Sequence, residues 1–430
     1  DYTLSKTLSP AYVSGMEPHR LSLMLNDNGN GTHGFRFFGT DEFKSDASFD
    51  GQELQDWITQ ARQTMRQAAW GDKKAWQTGR TYLYSGPSNL TRLKTDLIRF
   101  AKAGYTFYDS IIDRLTGGVD QSDALTQLMR SPGLIQIAFK QSARNILPAS
   151  LIYDYGLETN LPMTAYKLCP TFLKDFANPT NSLEDSECFK GNCPTKDSPD
   201  VVCPSGFWGY RHSLGMPLSL KGDADAVPTE LRWTGKPELT VGVSTDKAFV
   251  MRAKHEAALQ AIRPLTWNYA DTRANVLKLL KEKTSQVVYF YCHGGIDGTL
   301  PFILVGPSNE LGITRDNLRR EKIRWKSPRP LVFINGCHTA ALEPDVAIEF
   351  ISAFVEVAGA CGVIGTEITI FEPLAKAFAE ECLRRFFNGD KIGDAVRGAR
   401  LKILKDGNPL GLVYIPYVIA GLHMVQSPNN

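Results

Sequence analysis

The sequence lacks a long unbroken apolar run. The longest candidate, from about Gly411 to Leu422, is interrupted by Pro416 and Gly421. It is too short to cross a bilayer, so no membrane insertion is expected. A charge imbalance is also missing: 48 Lys and Arg stand against 46 Asp and Glu, a net charge of +2. Without a broad basic field, neither nucleic acid nor an anionic membrane is the expected partner. No charged-then-apolar signal segment opens the chain, which begins Asp1-Tyr2-Thr3-Leu4 without an initiator Met. The expectation is a soluble cytoplasmic protein, or a processed part of a longer one. In that setting a disulfide framework is the weaker expectation for the 8 cysteines.

What is present is an ordinary globular composition, 43% apolar and 22% charged, in a chain of 430 residues. That length suits roughly two or three domains. Residues 1–145 read as a mixed α/β module. Leu21, Leu23 and Leu25 alternate before a polar turn from Asn26 to Gly34, then Phe35 and Phe37 follow, which predicts a hairpin. Helical faces are predicted at Leu54–Met65, Leu90–Ala101 and Phe107–Leu115, with a strand at Leu134–Phe139. Residues 146–235 open with Leu147–Asp154 and then lose regular periodicity from about Asn160 to Pro228. So large an irregular stretch is usually functional or tied down by something.

Residues 236–430 change character. Leu239–Val243, Thr266–Tyr269, Val287–Tyr291, Leu331–Ile334, Cys361–Ile364 and Val413–Ile419 read as strands. Helical patterns separate them, one through Phe249–Ile262, another capped by Asp271, others through Val346–Val357 and Leu374–Leu383. Near-continuous apolar runs alternating with helices indicate an open, mostly parallel α/β sheet with helices on both faces.

Ligands gather beyond the C-terminal strand ends of such sheets. Two strands there end in reactive groups: Val287–Tyr291 runs into Cys292-His293-Gly294-Gly295, and Leu331–Ile334 into Asn335-Gly336-Cys337-His338. A thiol attacks as thiolate, and an imidazole at the same level of the sheet can take its proton. Cys337 is therefore the candidate nucleophile and His293 its general base, with the N–H groups of Gly294 and Cys337 as oxyanion donors. His338, the immediate neighbour of Cys337, should point away along an extended segment. Cys292, Cys361 and Cys382 read as packed core residues, and the remaining histidines as surface or internally satisfied groups.

These residues resemble the CHAT proteases, relatives of caspases, separase and gingipain. Further landmarks agree in order: Glu256, then Ala358–Gly365, Ala395–Arg400 and Tyr417–Gly421, with Leu147–Asp154 similar to the segment that opens the family's pseudo-caspase half. The resemblance covers Lys236–Val425 well and Asn145–Lys236 loosely. It implies a caspase-like sheet preceded by a pseudo-caspase half and the N-terminal α/β module. It also implies a cysteine endopeptidase under regulated activation, by a protein partner or by cleavage, acting on a specific protein substrate in bacterial antiviral defence or cell death. No cofactor is implied for catalysis. Two departures stand out: Ala149-Ser150 replaces a common Trp-Glu, and Thr366-Glu367-Ile368 replaces a Trp-containing strand end. The alternative reading is a catalytically silent scaffold or interaction module; a thiol acyltransferase using the same pair is a second enzymatic rival.

Asp297 and Glu367 are carboxylates expected near the rim of the S1 pocket, where they would favour a basic P1 side chain. Cys169, Cys188, Cys193 and Cys203 fall within the irregular stretch. Four thiols suit a structural tetrahedral zinc, with free thiols and disulfides as the alternatives.

Overall fold

The computed structural model describes residues 18–71, 81–140, 146–219, 228–297, 300–336 and 351–428. Alternating burial of Leu21, Leu23 and Leu25 sets one face of β1 (Leu21–Asp27) inward, and the chain returns as β2 (Thr32–Gly39) and β3 (Lys44–Asp50). The predicted hairpin is thus extended by a third antiparallel strand. Asp50 then caps α1 (Gly51–Trp70), its carboxylate accepting from the N–H groups of Gln52 and Glu53. The two helical faces predicted at 90–101 and 107–115 belong to one helix, α2 (Leu90–Arg114); Gly104 between them does not break it but lets the Leu151 carbonyl pack close, where a Cβ would clash with it. After α3 (Val119–Met129), β4 (Leu134–Lys140) pairs parallel to β1.

This first sheet is finished from far along the chain. β7 (Ser213–Gly215) and β8 (Leu218–Ser219) pair parallel to β4, giving the order β3-β2-β1-β4-β7 with β8 beside β4. Between them lies the irregular stretch, which among the described residues holds the β5 (Lys167–Leu168) and β6 (Val201–Val202) pair, α4 (Pro170–Ala177) and isolated helical turns. The sheet therefore runs across position 145.

The second sheet has the order β11-β10-β12-β15-β16-β17. Its strands are β10 (Glu238–Val243), β11 (Thr266–Ala270), β12 (Val287–Asp297), β15 (Leu331–Gly336), β16 (Gly362–Thr366) and β17 (Tyr414–Tyr417). All neighbours are parallel except β16 and β17. β13 (Leu300–Leu304) and β14 (Ile313–Thr314) extend β12 beyond the parallel ladder. A separate parallel pair joins β9 (Glu230–Trp233) to β18 (His423–Gln426).

Helices cover both faces of this sheet. On one face α5 (Arg252–Gln260) sets His255 against Tyr289, and α8 (Glu372–Phe387) stacks Phe378 on Tyr414 at 3.5 Å. On the other, α6 (Arg273–Glu282) brings Val276 against Gly242 and Phe290, and Phe290 meets Phe354. The cap of α6 is Thr272, whose hydroxyl accepts from Asn275, rather than the predicted Asp271. α7 (Arg315–Arg320) and α9 (Ile392–Lys405) complete the set. The helix expected through Val346–Val357 falls largely outside the described residues; its end, Ala353–Ala358, is a π-helical turn. Among the described residues no helix is long and apolar enough to cross a membrane.

The two sheets are joined by specific contacts. Met216 donates to the Pro416 carbonyl at 2.8 Å, and the Ala420 N–H to the Gln136 side chain at 3.2 Å. Phe371 stacks on Tyr82 with centroids 4.8 Å apart. Deeper in, Arg211 is buried against Asp154 and also donates to the Met129 carbonyl.

Two buried imidazoles give the fold an acid limit. Burial and the facing charges of Arg211, Arg397 and Arg20 hold His212 well below its ordinary pKa. Burial also lowers His255, although Glu380 pulls the other way. The unfolded chain takes up protons near pH 6.5 that the folded chain refuses, so this stability is complete above that pH and is lost as pH falls below it. Urea midpoints should drop between about pH 7.5 and about pH 5.5, and His212→Asn should flatten that slope. Equal midpoints at both values in the wild type would contradict the account.

Candidate functional site

The site begins where β12 outruns its neighbours. Its last partner on β10 is Tyr291, opposite Val243, and its last on β15 is Cys292, opposite Gly336. From His293 onward it pairs antiparallel with β13, His293 opposite Leu304 and Gly294 opposite Ile303. Two glycines suit that rise above the sheet edge. A Cβ on Gly295 would sit 2.6 Å from the Phe302 ring. His293 is the residue at which the strand leaves the parallel ladder, at its C-terminal end.

A carboxylate unmarked by the sequence reading stands beside it. Nε2 of His293 lies 3.5 Å from Oδ2 of Asp246, with side-chain exposures of 15% and 22%. Asp246 is held there by the end of β10. Ser244 bridges to Gly306, its N–H donates to Tyr291 at 2.8 Å, and its hydroxyl accepts from the Asp246 N–H at 3.2 Å. The N–H of Ala248 donates to the other Asp246 oxygen at 2.8 Å. That bond and the facing imidazole hold the Asp246 carboxyl below its usual range. Phe249 packs edge-on to the His293 ring, centroids 4.7 Å apart, which limits its rotation. The signal was available: Asp246 follows a strand of the same sheet at the same edge.

Below this edge lies a polar floor. Tyr289 and Tyr291 share a face of β12 with His293, since side chains alternate along a strand. The Asn335 amide donates to the Ala375 carbonyl at 2.7 Å, which fixes its orientation, and to the Tyr289 hydroxyl at 2.8 Å. Its oxygen accepts from Tyr414 at 2.8 Å. Tyr289 can then donate to Nε2 of His255 at 2.7 Å, leaving Nδ1–H of that neutral imidazole for Glu380 at 2.8 Å. Tyr291 donates to Glu372, which also accepts from the Met251 N–H. Buried groups satisfied this completely give a rigid base.

Of the residues singled out from sequence, Cys337 and His338 lie outside the described residues, and so does the Cys337 oxyanion N–H. Gly294 is buried in the β12–β13 ladder. Asp297 is the last residue of β12. Glu367 corrects the sequence reading: it is 0% exposed, and Arg62 of α1, itself 3% exposed, donates to its carboxylate at 3.1 Å. Its charge is committed internally, so it is not a rim carboxylate awaiting a substrate. Cys292, Cys361 and Cys382 are buried, and burial raises their thiols, that of Cys361 to about 12, which makes them poor nucleophiles. Cys169, Cys188, Cys193 and Cys203 converge on one buried point well away in sequence from His293.

Comparison with known proteins gives four findings. Residues 222–423 match the CHAT domain. Over 99% of its length the chain is 44% identical to a probable protease of Vitiosangium sp., and it spans 57% of that relative. Among solved structures, the Saccharomyces cerevisiae separase–securin complex aligns over 95% of this chain and 30% of that one, with a TM-score of 0.45 and 11% identity. The Arg-specific cysteine proteinase gingipain R aligns over 86% of this chain and 75% of that one, with a TM-score of 0.37 and 8% identity.

The Arg62–Glu367 pair generates a stability test. Arg62→Ala leaves a carboxylate buried without its cation and should cost about 3–5 kcal/mol by urea denaturation. Replacing both partners by apolar side chains should cost much less, because no stranded charge remains. An Arg62→Ala effect below that of the double variant would refute the assignment.

Proposed function

We propose that this chain, whose residues 222–423 match the CHAT domain, is a cysteine endopeptidase in which Cys337 is the nucleophile, His293 the general base and Asp246 a positioning residue. The observation that carries the reading is the Asp246–His293 pair at the residue where β12 leaves the parallel ladder. One position earlier, Cys292 is in register with Gly336, and the next residues in the two sequences are His293 and Cys337. The relative named a probable protease supports the same class.

The chemistry follows from those groups. His293 removes the Cys337 thiol proton, and the thiolate sulfur bonds to the scissile carbonyl carbon. The oxyanion so formed accepts hydrogen bonds from the N–H groups of Gly294 and Cys337. Collapse breaks the C–N bond as His293 returns its proton to the leaving amine. Water, deprotonated by His293, then attacks the thioester, releasing the new carboxyl terminus and restoring the thiol. Asp246 orients the imidazole and stabilises its charged form in each half-reaction.

The substrate is a protein, reached under regulated activation in a bacterial defence or cell-death response. With Glu367 held by Arg62, Asp297 is the remaining carboxylate for a basic P1 side chain. Fluorogenic peptides with P1 Arg or Lys should exceed those with Leu or Asp, and Asp297→Ala should narrow the difference. A P1 preference indifferent to Asp297 removes that part of the reading.

Incubating wild type and Cys337→Ala with a bacterial proteome, then sequencing new N-termini, tests the central claim. Termini should appear with the wild type alone, and iodoacetamide should label Cys337 faster when His293 is present. Asp246→Asn should lower kcat by about a hundredfold with little change in KM, as expected for losing an oriented base. Absence of Cys337-dependent termini, together with labelling indifferent to His293, would favour a silent scaffold.

A further inference from the structure

The short parallel pair β5–β6 has a consequence for the thiols beyond it. Leu168 is in register with Val202, so Cys169 and Cys203 leave adjacent strands side by side. Their backbones are fixed there: the Cys169 N–H donates to Val202 at 3.0 Å, and the Cys203 N–H to the Tyr153 hydroxyl at 3.2 Å. Cys188 and Cys193 come from one tight turn that folds back over that point. The turn needs Gly191, with φ of 95°, whose missing Cβ would lie 2.5 Å from the Arg130 carbonyl. All four residues are buried, and their sulfur atoms lie within 4.8 Å of one another.

The spacing discriminates between the possible uses of four thiols. Cys169 Sγ is 3.9 Å from Cys188 Sγ and 3.9 Å from Cys193 Sγ. A disulfide requires sulfurs about 2.05 Å apart. Four thiolates about 2.3 Å from a tetrahedral ion are separated by about 3.8 Å, the edge of that tetrahedron. A multi-iron cluster would hold its thiolates further apart than a single ion does. Hydroxyls stand where thiolates accept: Ser205 Oγ lies 3.1 Å from Cys203 Sγ, and Thr195 Oγ1 lies 3.4 Å from Cys193 Sγ.

We propose that Cys169, Cys188, Cys193 and Cys203 bind one structural zinc ion, and that this ion holds the irregular stretch as a latch between the two sheets. Binding displaces the thiol protons and involves no change of oxidation state. The latch is visible in what the stretch touches. Glu184 pairs with Arg385 of α8 at 2.6 Å, Arg397 of α9 donates to the Phe189 carbonyl at 3.4 Å, and Lys405 donates to the Phe176 carbonyl at 3.0 Å. On its other side, Gly191 lies against the end of α3 and the start of β4 through Arg130 and Pro132. Without an ion, four buried thiols would contribute little to holding so polar a segment.

Elemental analysis of the full chain, purified without chelator, should give one zinc per chain. Cys188→Ser and Cys203→Ser should lose it, and Cys361→Ser should keep it. Because the first two variants can fail to fold, the wild type supplies a second reading: cobalt exchanged into it should give the visible bands of a tetrahedral tetrathiolate site. A chelator strong enough to strip the ion should make residues 169–203 the first to be cut in limited proteolysis. Zinc no higher than in a metal-free control protein, or disulfides among these four cysteines under non-reducing mass spectrometry, would overturn the site. Zinc present but without effect on the order of proteolytic cuts would overturn the latch.

Discussion

A parallel strand that runs past its neighbours must find new partners for its backbone, because unpaired buried N–H and C=O groups are costly. β12 is eleven residues long, while its parallel pairing ends at Cys292. It meets the need by turning back on itself as β13, and β14 continues the ribbon. Everything at the candidate site depends on that exchange of partners. It lifts His293 out of the sheet at a fixed height and puts Gly306 where it can staple Ser244. Through Ser244 it brings Asp246 to the imidazole. The floor of tyrosines and Asn335 then resists any shift of the strands relative to one another.

Much of this was legible in the sequence because it is local. Apolar runs of strand length separated by helical patterns gave the second sheet, and the strand-end rule picked out His293. What could not be read was set by distant partners. Glu367 follows a strand and looked like a rim carboxylate, but its cation is Arg62, 305 positions earlier in α1. Asp246 carries a sequence signal, its place after a strand of the same sheet, but many carboxylates share that place, and the Ser244–Gly306 bridge is what sets this one beside His293. The positions of Cys188 and Cys193 in the sequence say little about geometry, since a two-residue ladder brings Cys169 and Cys203 to them.

Among the described residues, two buried ion pairs stand in the interior, and one of them, Arg62–Glu367, joins α1 to the end of β16. Arg62–Glu367 and Arg211–Asp154 are both buried, and each cation makes further bonds to backbone carbonyls, of Ile146 and Met129 respectively. Such pairs add little net stability over apolar packing, because removing two charges from water nearly offsets their attraction. Their effect is selective: a wrong approach of α1 to the β16 end leaves two stranded charges, whereas apolar packing would tolerate many approaches.

The order in which the chain returns to its first sheet limits how the molecule could have been assembled. β7 and β8 close a sheet begun almost two hundred residues earlier, and β9 pairs with β18 at the other extreme of the CHAT-matching span. A segment cut at residues 222 and 423 would break the β9–β18 pair and strand Glu367 without Arg62. The span is therefore not a cassette that recombination can move alone.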